Sequence, residues 1–420
     1  MLAVYTRCQV LSFVEIKMAP DNTNPKKILG VAPNVIYLGI GSLLTDISSE
    51  MIFTLVPLFL ANVLGAATTV IGFVGGLSDS LDNIFRIFSG WFSDRIGKRK
   101  TITVSGYALS TIVKPLMYFA GSWGAVLGVR FGDRVGKGVR SSPRDALIAD
   151  SSSPAERGKN FGVHRAMDTL GAVIGLALAA LIIYNVQGSG FILTRQSYQW
   201  IVIIGVIPAV LAVLVLLIMI REPEKRTGGT VVRFNRKWLF GFDRRFIIYI
   251  TVVGLFNLGQ SSNFFVILRA QNLDVPLIQT VMMLVVYNVV YASISSPVGA
   301  LSDKVGRRWV ITIGWLIYAV VYLGFALATQ MWQVWMLFIG YGLFSGVSEG
   351  VARAFIADLV PAEKRGTAYG LYYGVVGIAL LPASVLAGFL WQTVNPAMAF
   401  YFGAMMAILA VIGMVCFVRR

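Results

Sequence analysis

The sequence has few charged residues, very few cysteines and almost no histidine. Only 13% of its 420 residues are Asp, Glu, Lys or Arg, whereas a soluble domain carries about 25%. The two cysteines, Cys8 and Cys416, lie at opposite ends of the chain, which argues against a disulfide framework. Because His164 is the only histidine, the sequence also lacks a Cys/His cluster that could bind a metal ion.

Hydrophobic side chains make up 56% of the sequence. A water-soluble protein of this length could not bury so much apolar surface, so we predict a polytopic membrane protein. The formal net charge of +16 does not indicate a nucleic-acid partner, because the charges lie in short loops between apolar runs. In such loops, lysine and arginine set the orientation of a membrane protein.

The apolar runs are long enough to cross about 30 Å of hydrocarbon as helices of roughly 20 residues. Only a helix satisfies its own backbone hydrogen bonds in lipid at that length. We therefore predict twelve transmembrane helices, at residues 33–62, 69–93, 101–120, 123–150, 160–186, 198–220, 246–270, 276–299, 309–328, 331–358, 366–391 and 396–418.

Lysine and arginine are concentrated in every second loop. The intervening loops carry almost none, and Arg195 is the exception. Since positive charge marks the cytoplasmic side, we predict that both termini are cytoplasmic and that the protein lies in the inner, cytoplasmic membrane. The basic loops contain residues 95–100, 157–159, 304–308 and 364–365.

The charge pattern also predicts the domain organisation. No secretory signal peptide is recognisable at the N-terminus, and Met18 is an alternative start to Met1. The predicted divisions are a cytoplasmic tail at 1–32, a six-helix bundle at 33–220, a charged cytoplasmic linker at 221–245 and a second six-helix bundle at 246–420.

Two polar motifs occur twice, which indicates a duplicated membrane protein. The first is Gly90-Trp-Phe-Ser-Asp94-Arg95-Ile-Gly97-Lys-Arg, which returns 209 residues later as Gly299-Ala-Leu-Ser-Asp303-Lys304-Val-Gly306-Arg-Arg. The second is Ile148-Ala-Asp150 followed by Arg157-Gly158, which returns 208 residues later as Ile356-Ala-Asp358 and Arg365-Gly366. Each copy lies at the end of an apolar run.

The first motif resembles the loop between the second and third helices of the major facilitator superfamily. The resemblance implies an all-α membrane protein of twelve helices in two pseudo-symmetric six-helix bundles. It also implies secondary transport of a small solute by alternating access, without enzymatic activity or cofactor. The alternative for the loops is a plain topological anchor. The residues to which the resemblance gives a gating role are Gly90, Asp94, Arg95, Gly97, Gly299, Asp303, Lys304 and Gly306.

The fourth predicted span carries a dense charged stripe. Arg134, Lys137 and Arg140 share one helical face with Arg130 and Asp133. A charge at mid-membrane costs about 2.5–3.5 kcal/mol, so this face must meet water or opposite charges. The stretch from Arg134 also resembles the superfamily's Arg-x-x-Gln-Gly motif, whose arginine is associated with proton coupling, with Lys137 in place of glutamine. We take Arg134, Lys137 and Arg140 as candidate solute-binding residues.

Carboxylates in other spans are candidate proton carriers. Asp46 and Glu50 lie one turn apart on the first span, which has no basic residue of its own, and Asp168 lies on the fifth. The functional hypothesis is that one of them takes up and releases the coupled proton. The alternative is a static network of salt bridges that holds the helices together.

Amides and tyrosines mark the second half. They suit recognition of an organic solute by hydrogen bonds and ring contacts, although such residues also join helices to each other. Glu349 and Arg353 lie one turn apart, a spacing typical of an ion pair near a helix end. The candidate solute-binding residues of this half are Asn257, Gln260, Asn263, Tyr287 and Tyr291.

Together these features predict proton-coupled export of a small organic solute that carries a negative group. The alternatives are proton-coupled uptake, for example of a metabolite or an iron-chelate, and flipping of a lipid or amphiphile. Gly171 and Gly175 resemble part of the Gly-x-x-x-Gly-Pro pattern of superfamily antiporters, but Leu176 replaces the proline. We expect a monomer in the bilayer, with the solute and protons as its partners and no nucleic acid.

Overall fold

The computed structural model describes residues 31–96, 98–152, 156–222, 242–361 and 364–418, apart from the side chains of 86–96 and 157. All regular secondary structure within these ranges is helical. The described residues form twelve long helices: α1 (Pro33–Val63), α2 (Thr68–Ile96), α3 (Arg99–Val113, extended by a 3-10 turn at Lys114–Phe119), α4 (Trp123–Asp150), α5 (Arg157–Gln187), α6 (Arg195–Met219), α7 (Arg244–Asn272), α8 (Leu277–Val305), α9 (Arg307–Leu327), α10 (Met331–Leu359), α11 (Arg365–Thr393) and α12 (Pro396–Phe417).

Nine of these helices are, within the described ranges, long and apolar enough on their own to cross a membrane. The other three are α2, α3 and α4; α3 has only 15 α-helical residues before its 3-10 turn, and α4 carries the charged stripe. Large apolar side chains point outward, and Ile112, Ile218 and Ile378 are 68%, 77% and 72% exposed. This outer surface suits lipid rather than water, and the prediction of an all-α membrane protein is confirmed.

The helices form two sets of six that pack in the same way. The main packing pairs of the first set are α1–α5, α1–α6, α2–α4, α3–α4 and α3–α6, and their counterparts are α7–α11, α7–α12, α8–α10, α9–α10 and α9–α12. The predicted tail at 1–32 and most of the predicted linker at 221–245 lie outside the described residues. The domain boundaries therefore stay a prediction.

The first helix of each set is interrupted at an equivalent position. In α1 the regular helix ends at Phe53, and a short helix at Val56–Leu58 and a π-helical turn at Phe59–Val63 follow. In α7 it ends at Gly259 and resumes at Phe264. Because broken helices expose backbone polar groups, in membrane proteins they are tolerated where they face other protein or a cavity.

At one end of the molecule the two sets meet in a tight seam between α2 and α11. A Cβ added to Gly388 would lie 2.5 Å from the carbonyl oxygen of Thr68, so only glycine permits this approach. The Thr68 hydroxyl donates to the carbonyl of Gly388, and the Thr69 hydroxyl donates to Gln392 at 2.9 Å. We call this end, which carries the loops poor in lysine and arginine, the closed end.

At the opposite end, which carries the basic loops, glycines of both sets border open space. A Cβ added to Gly158, Gly299, Gly350 or Gly366 would meet no atom within 4 Å. Arg165 and Glu349 lie on inward-facing helices and are nevertheless exposed. We call this the open end, because solvent-exposed side chains here belong to helices that face the interior of the molecule.

Candidate solute-binding cavity

A polar cavity of about 390 Å³ lies between the two sets of helices. Helices α1, α2, α4 and α5 form one wall, and α7, α8 and α10 form the other. The interrupted parts of α1 and α7 both reach it, through Phe53 and Thr54 on one side and Asn263 and Phe264 on the other. A cavity of this size fits a small organic molecule.

The two walls differ in chemistry. The first set of helices supplies nine charged lining residues, whereas the described residues of the second set supply one, Glu349. Five of these ten side chains are acidic and five are basic. The second wall instead offers amides and aromatic rings, so a solute would meet charge on one side and ring or amide surfaces on the other.

Two of the three predicted basic residues are neutralised by acids close by. Arg134 pairs with Asp133 at 3.1 Å, and Lys137 lies 3.8 Å from Asp82 of α2. Arg140 has a different environment, because it donates to the Ser110 hydroxyl at 2.8 Å and its guanidinium carbon lies 4.4 Å from the ring centroid of Tyr107. All three predicted residues line the cavity.

The two carboxylates predicted on α1 also line the cavity. Glu50 accepts a hydrogen bond from Thr54, where α1 is interrupted. Among the described residues, neither Asp46 nor Glu50 has a basic nitrogen within 4.0 Å. Asp168 lies outside the lining, with an oxygen 3.6 Å from the ring of His164 one turn earlier.

Lys114 is a polar feature that the sequence reasoning missed. Its side chain is fully buried beside α1, and its ammonium group donates to the hydroxyls of Ser48 at 2.8 Å and Ser49 at 3.1 Å. It also lies 5.9 Å from the ring centroid of Phe53. The available signal was a lone lysine between valine and proline inside an otherwise apolar span.

On the second wall, the cavity lining includes Asn263, Tyr287 and Tyr291, but not Asn257 or Gln260. The Asn257 amide is buried and donates to the carbonyl of Val253 in its own helix. Tyr287 and Tyr291 have nearly parallel rings, with centroids 6.5 Å apart and planes 9° apart. The structure thus brings three of these five candidates to the cavity.

A hydrogen-bonded chain joins the two walls near the open end. The Arg165 guanidinium on α5 donates to the Tyr291 hydroxyl on α8, and that hydroxyl donates to the Glu349 carboxylate on α10 at 3.0 Å. The predicted ion pair between Glu349 and Arg353 is wrong. The Arg353 Nε donates instead to the backbone carbonyl of residue 349, because the carboxylate turns inward to Tyr291.

The basic loops at the open end form matching ion pairs. Arg99, the first residue of α3, pairs with Asp150 at the end of α4, and Arg307, the first residue of α9, pairs with Asp358 at 2.6 Å. Both members of the second pair lie 208 residues after their counterparts. Arg307 also contacts Asp303 at 2.8 Å.

The ion pairs align Arg99 with Arg307, which shows where the two motifs come to differ in separation. Gly306 directly precedes α9 and has a φ of 100°, a conformation that favours glycine. In the first loop Lys98 stands between Gly97 and the start of α3, so this loop is one residue longer. Gly97 and the side chains of Asp94 and Arg95 lie outside the described residues, as does the surrounding of Gly90; Asp303 and Lys304 are exposed.

Two matching sets of six helices around a polar cavity, closed at one end, are typical of secondary transporters. A sequence profile of the Major Facilitator Superfamily matches residues 38–268 and 246–420. A relative from Methanocaldococcus jannaschii, described as an uncharacterised MFS-type transporter, is 36% identical over 408 residues, which cover 96% of this chain and 98% of the relative. The chain belongs to the major facilitator superfamily, and it is a transporter rather than an enzyme.

More distant relatives and solved structures agree with this assignment. The multidrug resistance protein MdtH of Cronobacter sakazakii is 25% identical over 84% of this chain and 85% of its own length. The structure of the nucleoside transporter NupG has a TM-score of 0.75 at 13% identity and covers 91% of this chain and 98% of its own. A D-xylose–proton symporter gives 0.74 at 16% identity, with coverage of 92% and 97%. The predicted twelve-helix superfamily fold is confirmed.

Proposed function

We propose that this transporter exports a small organic solute with a negatively charged group and couples its movement to protons. One observation carries the proposal. A cavity that is open at the basic end and closed at the other brings the carboxylates of Asp46 and Glu50, which have no basic nitrogen within 4.0 Å among the described residues, into the same space as the stripe on α4. The end that bears the basic loops is taken as cytoplasmic, so the cavity is poised to load from the cytoplasm.

The proton-carrying role falls first on Asp46 and Glu50, with Asp168 third. A carboxylate without a fixed basic partner is free to bind a proton in one conformation and to release it in another. Lys137 and Arg140 line the same cavity and belong to the same set of helices as these acids, so they would approach them if α4 shifts against α1 during the transport cycle. Their positive charge would then favour release of the proton on the other side.

The solute-binding role falls on residues from both walls. Arg140, which has no described carboxylate within 4.0 Å, suits an anionic group, and Arg134 and Lys137 extend the same face. Asn263, Tyr287 and Tyr291 suit the organic part of the solute. Asn257 and Gln260 do not line the cavity, so we assign them no direct contact with the solute in this state. Export is supported by the relatives named multidrug resistance protein.

The loops at the open end are proposed to gate the cavity. Asp303 and Asp358 both form ion pairs with Arg307 at the start of α9. We propose the same role in the first half for Asp94 and its loop. When the open end closes, these ion pairs must rearrange because the loops then face each other. Gly90, Arg95, Gly97, Gly299, Lys304 and Gly306 belong to the same proposed gates.

The experiment uses proteoliposomes and a solute identified by thermal-shift screening. Wild-type protein should accumulate the solute against its gradient when a pH difference is imposed. Glu50→Gln should abolish this accumulation but keep exchange of labelled for unlabelled solute, because exchange moves no net proton. If Glu50→Gln and Asp46→Asn both still accumulate solute, the coupling site lies elsewhere, with Asp168 next.

The same preparation separates export from its alternatives. Vesicles of known orientation distinguish export from uptake by the side on which an acidic compartment drives accumulation. Flipping of a lipid or amphiphile would require an apolar path between the halves. The cavity lining is instead dominated by charged and polar side chains, so we place that function last.

A further inference from the structure

Arg130 is a buried cation of the charged stripe on α4, and it has no role in the proton coupling and gating proposed for this transporter. Arg130 is only 4% exposed to solvent, yet its side chain lines the cavity. Its Nε donates to the Ser78 hydroxyl at 3.3 Å. Within the described part of the chain, no carboxylate oxygen lies within 4.0 Å of its guanidinium, and its two terminal nitrogens make no hydrogen bond.

Two aromatic rings from opposite halves hold this guanidinium. Its central carbon lies 4.9 Å from the ring centroid of Phe53 on α1 and 5.7 Å from that of Phe264 on α7. Such cation–π contacts compensate part of the cost of burying the charge. They leave the terminal N–H groups unused, and these groups are the part of arginine that binds a carboxylate through two parallel hydrogen bonds.

The position of Arg130 along the cavity matters as well. It lies seven residues from the start of α4, or about 10 Å from the closed end, whereas Lys137 and Arg140 lie nearer the open end. Phe264 belongs to the half that must move away when the closed end opens. Arg130 is therefore a cation that reaches the cavity in the present state and would face the opposite side once Phe264 withdraws.

We propose that Arg130 binds the anionic group of the solute, and that the solute is an organic monocarboxylate whose carbon skeleton points toward Tyr287 and Tyr291. This proposal rests on the proposed function and names the solute class for it. A single negative charge is favoured over a divalent group, because the acids Asp79 and Asp133 also line this part of the cavity and would repel a second charge.

The test compares benzoate with benzamide, which share a ring and differ in charge. Thermal unfolding of the purified full-length protein is followed at constant ionic strength over a series of concentrations of each compound. Benzoate should raise the Tm of the wild type and benzamide should not. Arg130→Lys keeps the positive charge but loses the paired N–H geometry, so the apparent Kd for benzoate should rise about tenfold or more.

Arg195→Lys is the matched control. Arg195 also lies over a phenylalanine ring, at 5.7 Å from the centroid of Phe59, and it lies outside the cavity lining. This variant should bind benzoate as the wild type does. If Arg130→Lys is too unstable to measure, Phe264→Leu serves instead. This variant keeps the arginine but removes one of its two aromatic contacts, and it should weaken benzoate binding several-fold. If Arg130 had only a structural role, Arg130→Lys would change the Tm measured without ligand. The difference between the Tm shifts caused by benzoate and by benzamide would then stay as in the wild type.

Two outcomes overturn the assignment. One is a wild type that benzoate stabilises no more than benzamide does, and the other is unchanged benzoate binding in both Arg130→Lys and Phe264→Leu. Neither outcome touches the coupling proposal, which depends on the pH-driven transport described above. Conversely, benzoate binding through Arg130 without pH-driven accumulation would leave this assignment standing and overturn the coupling.

Discussion

Lys114 is a fully buried cation whose described polar partners are two hydroxyl groups rather than a carboxylate. A buried charge without an opposite charge costs free energy, and hydroxyl partners return only part of it. The charge of Lys114 therefore contributes little to the free energy of unfolding. Once the charge is present, however, the hydroxyl groups of Ser48 and Ser49 are needed to compensate its burial. This asymmetry gives opposite expectations for the two sides of the contact.

We expect Lys114→Met to leave the Tm unchanged or to raise it, because an apolar chain of similar length removes the desolvation cost. The double variant Ser48→Ala and Ser49→Ala should destabilise the protein by about 1–3 kcal/mol, since it removes both described hydrogen bonds of the ammonium group. Ser105→Ala is the control, because the Ser105 hydroxyl only bonds a carbonyl of its own helix. A larger loss for Lys114→Met than for the double serine variant would contradict this account.

At the scale of residues, the sequence predicted which side chains are charged inside the membrane but not how they pair. Charges stand out in apolar runs, so Asp46, Glu50 and the stripe on α4 could be named in advance. Their partners depend on how neighbouring helices are rotated about their axes, and the sequence of a single helix does not determine this rotation. Thus Lys137 meets an acid of α2, whereas Arg140 meets a hydroxyl and a ring of α3.

At the scale of elements, the seam between α2 and α11 sets which end of the molecule is closed. Its contacts run from backbone to backbone, as the approach of Gly388 to the carbonyl of Thr68 shows. Backbone atoms cannot turn aside as a flexible side chain can. A single methyl group at this seam must therefore separate the two helices and weaken the closed end.

Gly388→Ala should shift the protein toward the state in which the closed end is open. The new Cβ would lie 2.5 Å from the Thr68 oxygen and needs roughly 1 Å more for ordinary contact. Spin labels on Ala67→Cys and Val394→Cys, at the ends of the two helices, should report longer distances. Gly128→Ala, where a Cβ meets no atom within 4 Å, should leave the distances unchanged. Equal distances in both variants would show that the seam does not hold the end closed.

Length and polarity predicted the helices well, because a hydrocarbon layer imposes both. The interruptions in α1 and α7 were not predicted, although each has a local cause. Pro57 has no N–H to donate to the carbonyl of Phe53, so α1 cannot continue regularly. In α7 the run Gln260-Ser-Ser-Asn263 offers side chains that compete with backbone hydrogen bonding. Both signals are visible in the sequence, but their location in the cavity wall requires the tertiary structure.

At the scale of the whole molecule, two equivalent halves with matching ion pairs surround a cavity that is asymmetric in charge. Duplication explains the shared helix packing and the paired arginines Arg99 and Arg307. It does not explain why, among the described residues, nine of the ten charged side chains that line the cavity come from one half. This division suits a transporter in which one half carries the charge chemistry and the other recognises the organic part of the solute.

The direction of transport depends on which side of the membrane the open end faces. The basic loops predict that it is the cytoplasmic side. In a variant without Cys8 and Cys416, Leu64→Cys and Gln330→Cys at the closed end should react with an impermeant maleimide in intact cells. Lys98→Cys at the open end should react only after permeabilisation. The reversed pattern would mean that the cavity opens outward in this state, so that solute would load from outside and uptake would replace export as the preferred function.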